Sequence, residues 1–154
     1  MTSTLRMIPA HEPLPLALLL LANPSVALIE ADLVDGHCYV LHDDQGALIG
    51  AAILQRVATD TLEIKAIAIA PERQGQGWGK ILLQGLIDNA QQQGAHTLFV
   101  GTANSSLDQL GFYQKGGFRL SHILPNYFLD HYPEPIFEAG LQALDMIYLK
   151  LSLT

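Results

Sequence analysis

A glycine-rich segment at residues 74–79 constrains the fold more than any other stretch of this sequence. It reads Gln-Gly-Gln-Gly-Trp-Gly and lies between an apolar, strand-like run at 61–70 and a run with helical spacing at 78–93. The second run places its leucines and isoleucines on one side and precedes Gly94, which predicts an amphipathic helix. Because the N–H groups at the start of a helix are unpaired, glycines there let phosphate oxygens approach the backbone. The segment therefore predicts a phosphate-binding turn.

Two common nucleotide-binding loops do not fit this segment. A P-loop requires glycine at position 74 and Ser or Thr after Lys80, whereas the chain has Gln74 and Ile81. A dinucleotide fingerprint that starts at Gly75 or Gly77 needs its third glycine at position 80 or 82, and the chain has none there. A glycine-rich turn that merely connects a strand to a helix remains as the alternative.

The rest of the chain alternates between strand-like and helix-like patterns. Helix-like segments occupy residues 14–21, 25–33 and 106–115. Strand-like segments occupy residues 4–8, 37–41, 47–56, 96–101, 118–124 and 144–151. The order strand, helix, strand across residues 61–101 implies a parallel crossover. Since no linker or repeat interrupts the pattern, we expect one mixed α+β domain over residues 1–154.

Composition and charge exclude several classes of protein. The formal net charge is −7, which opposes a nucleic-acid partner because phosphate backbones need clustered Lys and Arg. The richest apolar run, at 14–22, contains Pro15 and is shorter than the roughly 20 residues that span a bilayer. With a single cysteine, Cys38, no internal disulfide is expected, and His37 and His42 point to opposite faces of a strand. We expect a cytoplasmic protein with no membrane partner and no metal.

Beyond the loop, the sequence resembles one enzyme family. The order Q-x-x-G-x-G at 74–79, after an apolar strand and at the start of a helix, resembles the acetyl-CoA motif of the GNAT (GCN5-related N-acetyltransferase) superfamily. Residues 104–118, NSSLDQLGFYQKGGF, resemble the family's fourth helix and following strand, so the likeness covers roughly residues 35–124. It implies a central, mostly antiparallel sheet splayed around a parallel strand pair and flanked by about four helices.

The resemblance also implies a donor substrate, acetyl-CoA, and residues that bind it. The backbone at the end of the central strand is expected to pair with the pantetheine amides, at Ile67, Ala68 and Ile69. The loop and helix start are expected to bind the pyrophosphate, through Gln74, Gly75, Gln76, Gly77, Trp78, Gly79 and Lys80. Asn104 matches a position that commonly contacts the pantetheine arm, although Asn104 followed by two serines is also an ordinary helix entry.

Two residues are expected to carry the chemistry of a small N-acetyltransferase. By resemblance, Tyr113 protonates the departing thiolate, and Glu63 serves as a base for an acceptor amine. Each has a plainer interpretation: Tyr113 as a core residue, and Glu63 with Lys65 as an exposed ion pair on one face of a strand.

The acceptor side is less defined by the sequence. Four residues in the segment after the penultimate predicted strand are candidates for an acceptor pocket: Phe128, His131, Tyr132 and Glu138. Packing of an aromatic cluster is the alternative. The acceptor is expected to be a primary amine of a small molecule or a peptide, and the negative net charge favours a cation. A non-catalytic acyl-CoA sensor, a transferase with a different acyl-CoA, and a homodimer are left open.

Overall fold

The computed structural model of the chain describes residues 2–153. Strands and helices alternate irregularly along the chain in a mixed arrangement. They are β1 (Ser3–Met7), α1 (Leu16–Ala22), α2 (Val26–Asp32), β2 (Gly36–Asp43), β3 (Leu48–Ala58), β4 (Thr61–Ile69), α3 (Trp78–Gln92), β5 (Thr97–Ala103), α4 (Leu107–Lys115), β6 (Arg119–Leu124), α5 (Tyr127–His131), β7 (Phe137–Glu138), β8 (Leu141–Gln142) and β9 (Met146–Ser152). A single 3₁₀ turn, Pro71–Arg73, lies between β4 and α3.

Seven strands form one sheet in the order β1-β2-β3-β4-β5-β9-β6, and β7 with β8 forms a separate hairpin. Every neighbouring pair in the large sheet is antiparallel except β4 and β5, which are parallel because α3 connects them as a crossover. The last strand, β9, lies between β5 and β6. The predicted parallel pair within a mostly antiparallel sheet is therefore confirmed.

The parallel pair separates halfway along its length. Pairing runs from Thr61 opposite Thr97 to Ile64 opposite Val100, while β4 continues to Ile69 and β5 to Ala103. Past this point β5 pairs only with β9 on its other side. Backbone groups of β4 and β5 that face this gap are left without a strand partner, so a peptide-like ligand can pair there.

A β-bulge at Lys65 changes which side chains of β4 share a face. Ile53 of β3 lies opposite Ala66 and Leu54 lies opposite Ile64, so Lys65 is the extra residue. Leu62 and Ile64, before the bulge, pack with α3, whereas Ala66, after it, packs with α1 and α2. An unbroken alternation would have placed Glu63 on the same face as Ile67. Because of the bulge, Ile67 packs on the α3 side of the sheet, whereas Glu63 projects from the opposite face.

Two hydrophobic clusters, one on each face of the sheet, hold the helices. Leu82 and Leu86 of α3 are fully buried in the larger cluster. Leu19 of α1 and Ile29 of α2 are fully buried in the other. Each such side chain contributes about 1.5–3 kcal/mol by leaving water. These contacts fix α1 and α2 over the face of the sheet onto which Glu63 projects.

The expected elements agree with the observed ones within a few residues at each end. The predicted helix at 25–33 is Val26–Asp32, with Ser25 as its N-cap: its Oγ accepts a hydrogen bond from the N–H of Leu28 at 3.2 Å. The described residues contain five α-helices, where about four were expected. The short helix α5, which follows β6, makes the difference. The β7–β8 hairpin was likewise not predicted, since its strands have only two residues each.

Between residues 2 and 153, no helix is both long and apolar enough to cross a bilayer.

Candidate active site

The glycine-rich turn adopts backbone conformations that only glycine enters readily. Gly75 has φ +75° and Gly77, the residue before α3, has φ +91°. Both residues are exposed, and a Cβ on Gly75 would meet nothing within 4 Å. The left-handed backbone presents consecutive N–H groups at the start of α3, and this arrangement binds phosphate oxygens.

Gly79 is the second residue of α3 and is not required by the packing of the protein itself. A Cβ at Gly79 would meet the ring of Phe112 at 3.6 Å, an ordinary contact, so the protein itself has room for alanine. Binding of a coenzyme A pyrophosphate by this turn stays a prediction, with which its exposed, positive-φ glycines are compatible.

Side chains of the turn hold it against the sheet. The Nε2 of Gln74 donates to the backbone oxygen of Ile69 at 3.0 Å, and the indole N–H of the buried Trp78 donates to Oε1 of Gln76 at 3.2 Å. Gln74 therefore anchors the turn to the end of β4 with its side chain. Lys80 is exposed on the first turn of α3, where its charge is free to meet a phosphate.

Arg73 and Asp43 link the same turn to β2. The Nη2 of Arg73 lies 2.6 Å from Oδ2 of Asp43, and Oδ1 of Asp43 accepts hydrogen bonds from the N–H groups of Gln45 and Ala47. Hydrogen bonding to Arg73 and to Ala47 lowers the pKa of the Asp43 carboxyl. Arg73 is thus held by a carboxylate at the edge of the turn.

A groove of about 530 Å³ extends from the turn along the free edge of β4. Its walls include the expected residues Ile67, Ala68, Ile69, Gln74 and Gly75. The side chains of Ile67 and Ile69 pack against the core on the α3 side, which leaves their backbone as the polar part of the groove. The groove joins the phosphate turn to the gap between β4 and β5.

Tyr113 lies where this gap begins. Its side chain is only 2% exposed and packs edge-to-face against Phe112 and Phe118, with ring centroids 5.2 and 5.7 Å away. It lines a small cavity of about 50 Å³ with Lys65 and Ile67. Burial alone holds the pKa of the Tyr113 hydroxyl well above its usual range. The hydroxyl therefore keeps its proton at neutral pH beside the gap.

The side chain of Asn104 forms hydrogen bonds with residues in the last third of the chain. Its Oδ1 accepts from the N–H groups of Leu144 and Asp145 at 2.8 and 3.1 Å, and its Nδ2 donates to the oxygen of Gln142 at 3.1 Å. Asn104 does not line the groove or the cavity beside Tyr113. These bonds give it a structural function, because they position the segment that leads into β9. A contact of Asn104 with pantetheine stays a prediction.

A second cavity, of about 360 Å³, opens on the α1 and α2 side of the gap. Glu63 lies in its wall, and Oε2 of Glu63 is 3.2 Å from Nζ of Lys65. The side chains of Glu63 and Lys65 are only 12% and 24% exposed, so this pair is not an ordinary solvated ion pair. Asp32, at the end of α2, lies 4.0 Å from the same Nζ. We call this space the acceptor cavity, after the amine acceptor that the family resemblance leads us to expect.

The aromatic segment after β6 forms the far wall of the acceptor cavity. Phe128, Tyr132 and Glu138 line it, and their contact with an acceptor stays a prediction. His131 does not: its ring stacks on Tyr127 with centroids 4.1 Å apart, because residues four apart meet on one side of a helix. Tyr127 lines the cavity in its place.

Glu138 is fixed by two hydroxyl groups. Its Oε1 accepts hydrogen bonds from Oγ of Ser105 at 3.3 Å and from Oγ of Ser106 at 2.9 Å. The serines that follow Asn104 thus hold a carboxylate at the cavity wall.

Two residues connect the three spaces and were missed by sequence reasoning. Ala22 and Gln109 line the groove, the cavity beside Tyr113 and the acceptor cavity alike. Oε1 of Gln109 accepts from Oγ1 of Thr102 at 2.7 Å, which fixes the amide there.

Asp32 and Tyr148, which also line the acceptor cavity, were missed by sequence reasoning as well. Asp32 lies in a segment that the sequence marks only as helix-like, and Tyr148 belongs to a segment that it marks only as strand-like, so neither carries a local signal.

Comparison with known proteins gives one consistent family. The model of the acetyltransferase (GNAT) family matches residues 11–118. The chain is 43% identical over 136 residues to YvbK of Bacillus subtilis (strain 168), described as an uncharacterized N-acetyltransferase, and this alignment covers 88% of this chain and 87% of that protein.

Two solved structures show what similar chains bind. A GNAT family acetyltransferase from Elizabethkingia anophelis, with acetyl-CoA bound, is 42% identical with a TM-score of 0.94, and 97% of each chain is covered. A Bacillus subtilis acetyltransferase in complex with CoA is 38% identical with a TM-score of 0.93, covering 99% of this chain and 100% of that one. Together with the splayed parallel pair and the glycine-rich turn, these matches establish that the chain belongs to the GNAT family of acetyltransferases, whose acyl donor is acetyl-CoA.

Proposed function

We propose that this enzyme transfers the acetyl group of acetyl-CoA directly to a primary amine held in the acceptor cavity. The observation that carries the proposal is the connection of three spaces across the gap between β4 and β5. The groove for the donor, the cavity beside Tyr113 and the acceptor cavity meet at Ala22 and Gln109. An amine in the acceptor cavity can therefore reach a thioester lying in the gap without leaving the protein.

Acetyl-CoA supplies the acetyl group and a thiolate leaving group. Its pyrophosphate would be held by the N–H groups from Gly75 to Lys80, and its pantetheine by the free backbone edge of β4 at Ile67 and Ile69. The same backbone edge offers an N–H group to the carbonyl oxygen that becomes negative in the transition state. The small volume beside Tyr113, about 50 Å³, has room for about three or four water-sized groups. That size favours an acetyl group over a longer acyl chain.

Glu63 is the proposed base. A primary amine arrives as an ammonium ion and must lose a proton before its nitrogen can attack a carbonyl carbon. Glu63 is the carboxylate that the bulge at Lys65 turns onto the acceptor side of β4. The carboxylate takes the proton directly or through one water molecule.

Tyr113 is the proposed acid. The new C–N bond forms as the C–S bond breaks, and the sulfur leaves with an electron pair. Because burial keeps the Tyr113 hydroxyl protonated, it can donate its proton to that sulfur. As the amide forms, the nitrogen loses its second proton, which returns to the Tyr113 oxygen, and the proton held by Glu63 passes to solvent. The products are free coenzyme A, an acetylated amine and one released proton.

An acceptor screen tests the proposed transfer. Thiol release from acetyl-CoA is followed with small amines, aminoglycosides and peptides with free N-termini, and the product is identified by its added acetyl group. We expect release that depends on the amine. Tight acetyl-CoA binding with no release for any amine would instead support a non-catalytic sensor.

Replacing Glu63 tests the base. In Glu63→Gln we expect kcat/KM to fall by about a hundredfold near neutral pH, the usual scale for losing a general base. The acidic limb of the pH profile should also disappear. Glu72→Gln, which removes an exposed carboxylate from the 3₁₀ turn, serves as the control and should keep the wild-type profile. An unchanged profile in Glu63→Gln would remove Glu63 from the mechanism.

A further inference from the structure

The acceptor cavity contains more negative charge than its one lysine neutralises. Nζ of Lys65 lies between two carboxylates, 3.2 Å from Glu63 and 4.0 Å from Asp32. The longer distance exceeds that of a hydrogen bond, so Lys65 pairs mainly with Glu63. Glu138 adds a third carboxylate to the wall. Glu138 is exposed and accepts hydrogen bonds from two serine hydroxyl groups, so water and these groups solvate its charge. Asp32 is therefore the part-buried carboxylate of this cavity whose charge is least compensated.

Asp32 lies in surroundings that disfavour its own charge. Its side chain is 17% exposed, and burial, with a smaller contribution from Glu63, raises the pKa of its carboxyl to about 6 against the lowering effect of Lys65. At neutral pH it is still ionised. A part-buried carboxylate whose negative charge is not fully compensated is stabilised when a cation binds beside it.

Aromatic rings line the same cavity as this carboxylate. Tyr127, Tyr132 and Tyr148 line the cavity, and all three lie close enough to Asp32 for its negative charge to add to the burial that raises their pKa values. Faces of aromatic rings attract ammonium groups, and more so where water is excluded. A carboxylate in a cavity that is also lined by three tyrosine rings has the chemistry of an ammonium site.

These rings are already fixed in place. Tyr148 stacks on His122 with centroids 4.8 Å apart, and Tyr132 stacks on Phe128 at 5.7 Å. The hydroxyl of Tyr132 also donates to Oδ1 of Asn23 at 3.1 Å, which joins the aromatic segment to the end of α1. A site whose walls are preorganised loses less entropy when its ligand binds.

We infer that Asp32 binds a second cationic group of the acceptor, so that the preferred acceptor is a diamine. The inference rests on the proposed transfer to an amine: Glu63 receives the reacting amine, and Asp32 with the tyrosine rings holds the other end of the molecule. The class predicted is a small, flexible molecule with two ammonium groups, in contrast to a monoamine or to an amino acid, whose carboxylate would pair with Lys65.

Three matched acceptors test this inference. 1,4-Diaminobutane, 1-aminobutane and 4-aminobutanoate each contain four carbon atoms and one amino group, and their other ends are an ammonium, a methyl group and a carboxylate. We expect kcat/KM for the diamine to exceed the other two by about tenfold or more, mostly through KM. Equal values, or a preference for 4-aminobutanoate, would overturn the inference and leave the proposed transfer intact. No thiol release with any amine would overturn the proposed transfer itself.

Asp32→Asn keeps the shape of the side chain and removes its charge. In this variant we expect the advantage of 1,4-diaminobutane over 1-aminobutane to fall to about one. Asp35→Asn is the matched control, because it removes an exposed carboxylate three residues further on, outside the acceptor cavity, and should keep the wild-type ratio. With CoA present, 1,4-diaminobutane should also raise the Tm of the wild type more than that of Asp32→Asn. An undiminished ratio and an equal Tm shift in Asp32→Asn would overturn the inference.

Discussion

Two carboxylates in the same cavity have different surroundings and hence different predicted tasks. Glu63 is 3.2 Å from Nζ of Lys65 and lies on β4, next to the gap where the thioester is expected. Asp32 is at the end of α2, further from Lys65, and its charge acts more strongly than that of Glu63 on Tyr127 and Tyr132. Environment rather than residue type assigns one to proton transfer and the other to binding.

The stability of the protein should depend on Asp32 in a defined direction. The pKa of its carboxyl rises from 3.8 in the unfolded chain to about 6 in the folded one. A raised carboxyl pKa means that the folded state loses stability as pH rises through this window, because ionising the buried group costs more than ionising the free one. Asp32→Asn should therefore be more stable than the wild type at pH 8.

The expected gain is about 1 kcal/mol, since partial solvent access reduces the roughly 3 kcal/mol that two pKa units represent. Urea unfolding at pH 4 and pH 8 measures it, and the difference between variant and wild type should shrink towards zero at pH 4. Asp35→Asn is again the control. A variant less stable than the wild type at pH 8 would mean that the ion pair with Lys65 outweighs the cost of burial.

At the scale of single elements, the turn before α3 is the one that the sequence specifies most directly. Its glycines can be identified from their spacing, and the structure shows why two of them are needed: Gly75 and Gly77 both have positive φ. The bulge in β4 could not be predicted in this way. Nothing in the local sequence around Lys65 distinguishes a bulge from continued alternation, because the bulge is a property of how β3 and β4 pair.

Gly77→Ala tests the turn. A Cβ at a positive φ costs about 1–2 kcal/mol and narrows the approach to the N–H groups of α3. We expect KM for acetyl-CoA to rise by about tenfold, with a smaller effect on kcat. Gly94→Ala, at the other end of α3 and also at positive φ, should cost similar stability and leave KM for acetyl-CoA at the wild-type value. Equal KM values in the two variants would contradict phosphate binding at Gly77.

At the scale of the whole molecule, the site is assembled from segments far apart in sequence. α1 and α2 from the first third contribute Ala22 and Asp32, β4 contributes Glu63, and the last third contributes Tyr148 on β9. The sequence predicted the central β4–turn–α3 unit because its signals are local. It could not bring Asp32 to Lys65, or Tyr148 to the cavity, because such long-range contacts follow from the sheet order, with β9 between β5 and β6.

The central claim is that this assembly moves an acetyl group with Tyr113 as the acid. The most direct test compares kcat in Tyr113→Phe and Tyr39→Phe, both of which remove a hydroxyl from a buried tyrosine. Tyr39 lies on β2, and its hydroxyl donates to Oδ1 of Asn89 at 3.0 Å, away from the three connected spaces.

The comparison uses the best acceptor and acetyl-CoA across pH, with acetyl-CoA binding measured separately by thermal shift. We predict that Tyr113→Phe binds acetyl-CoA as the wild type does but loses about a hundredfold in kcat, whereas Tyr39→Phe stays within about twofold. A kcat for Tyr113→Phe equal to that of the wild type at every pH would contradict the account.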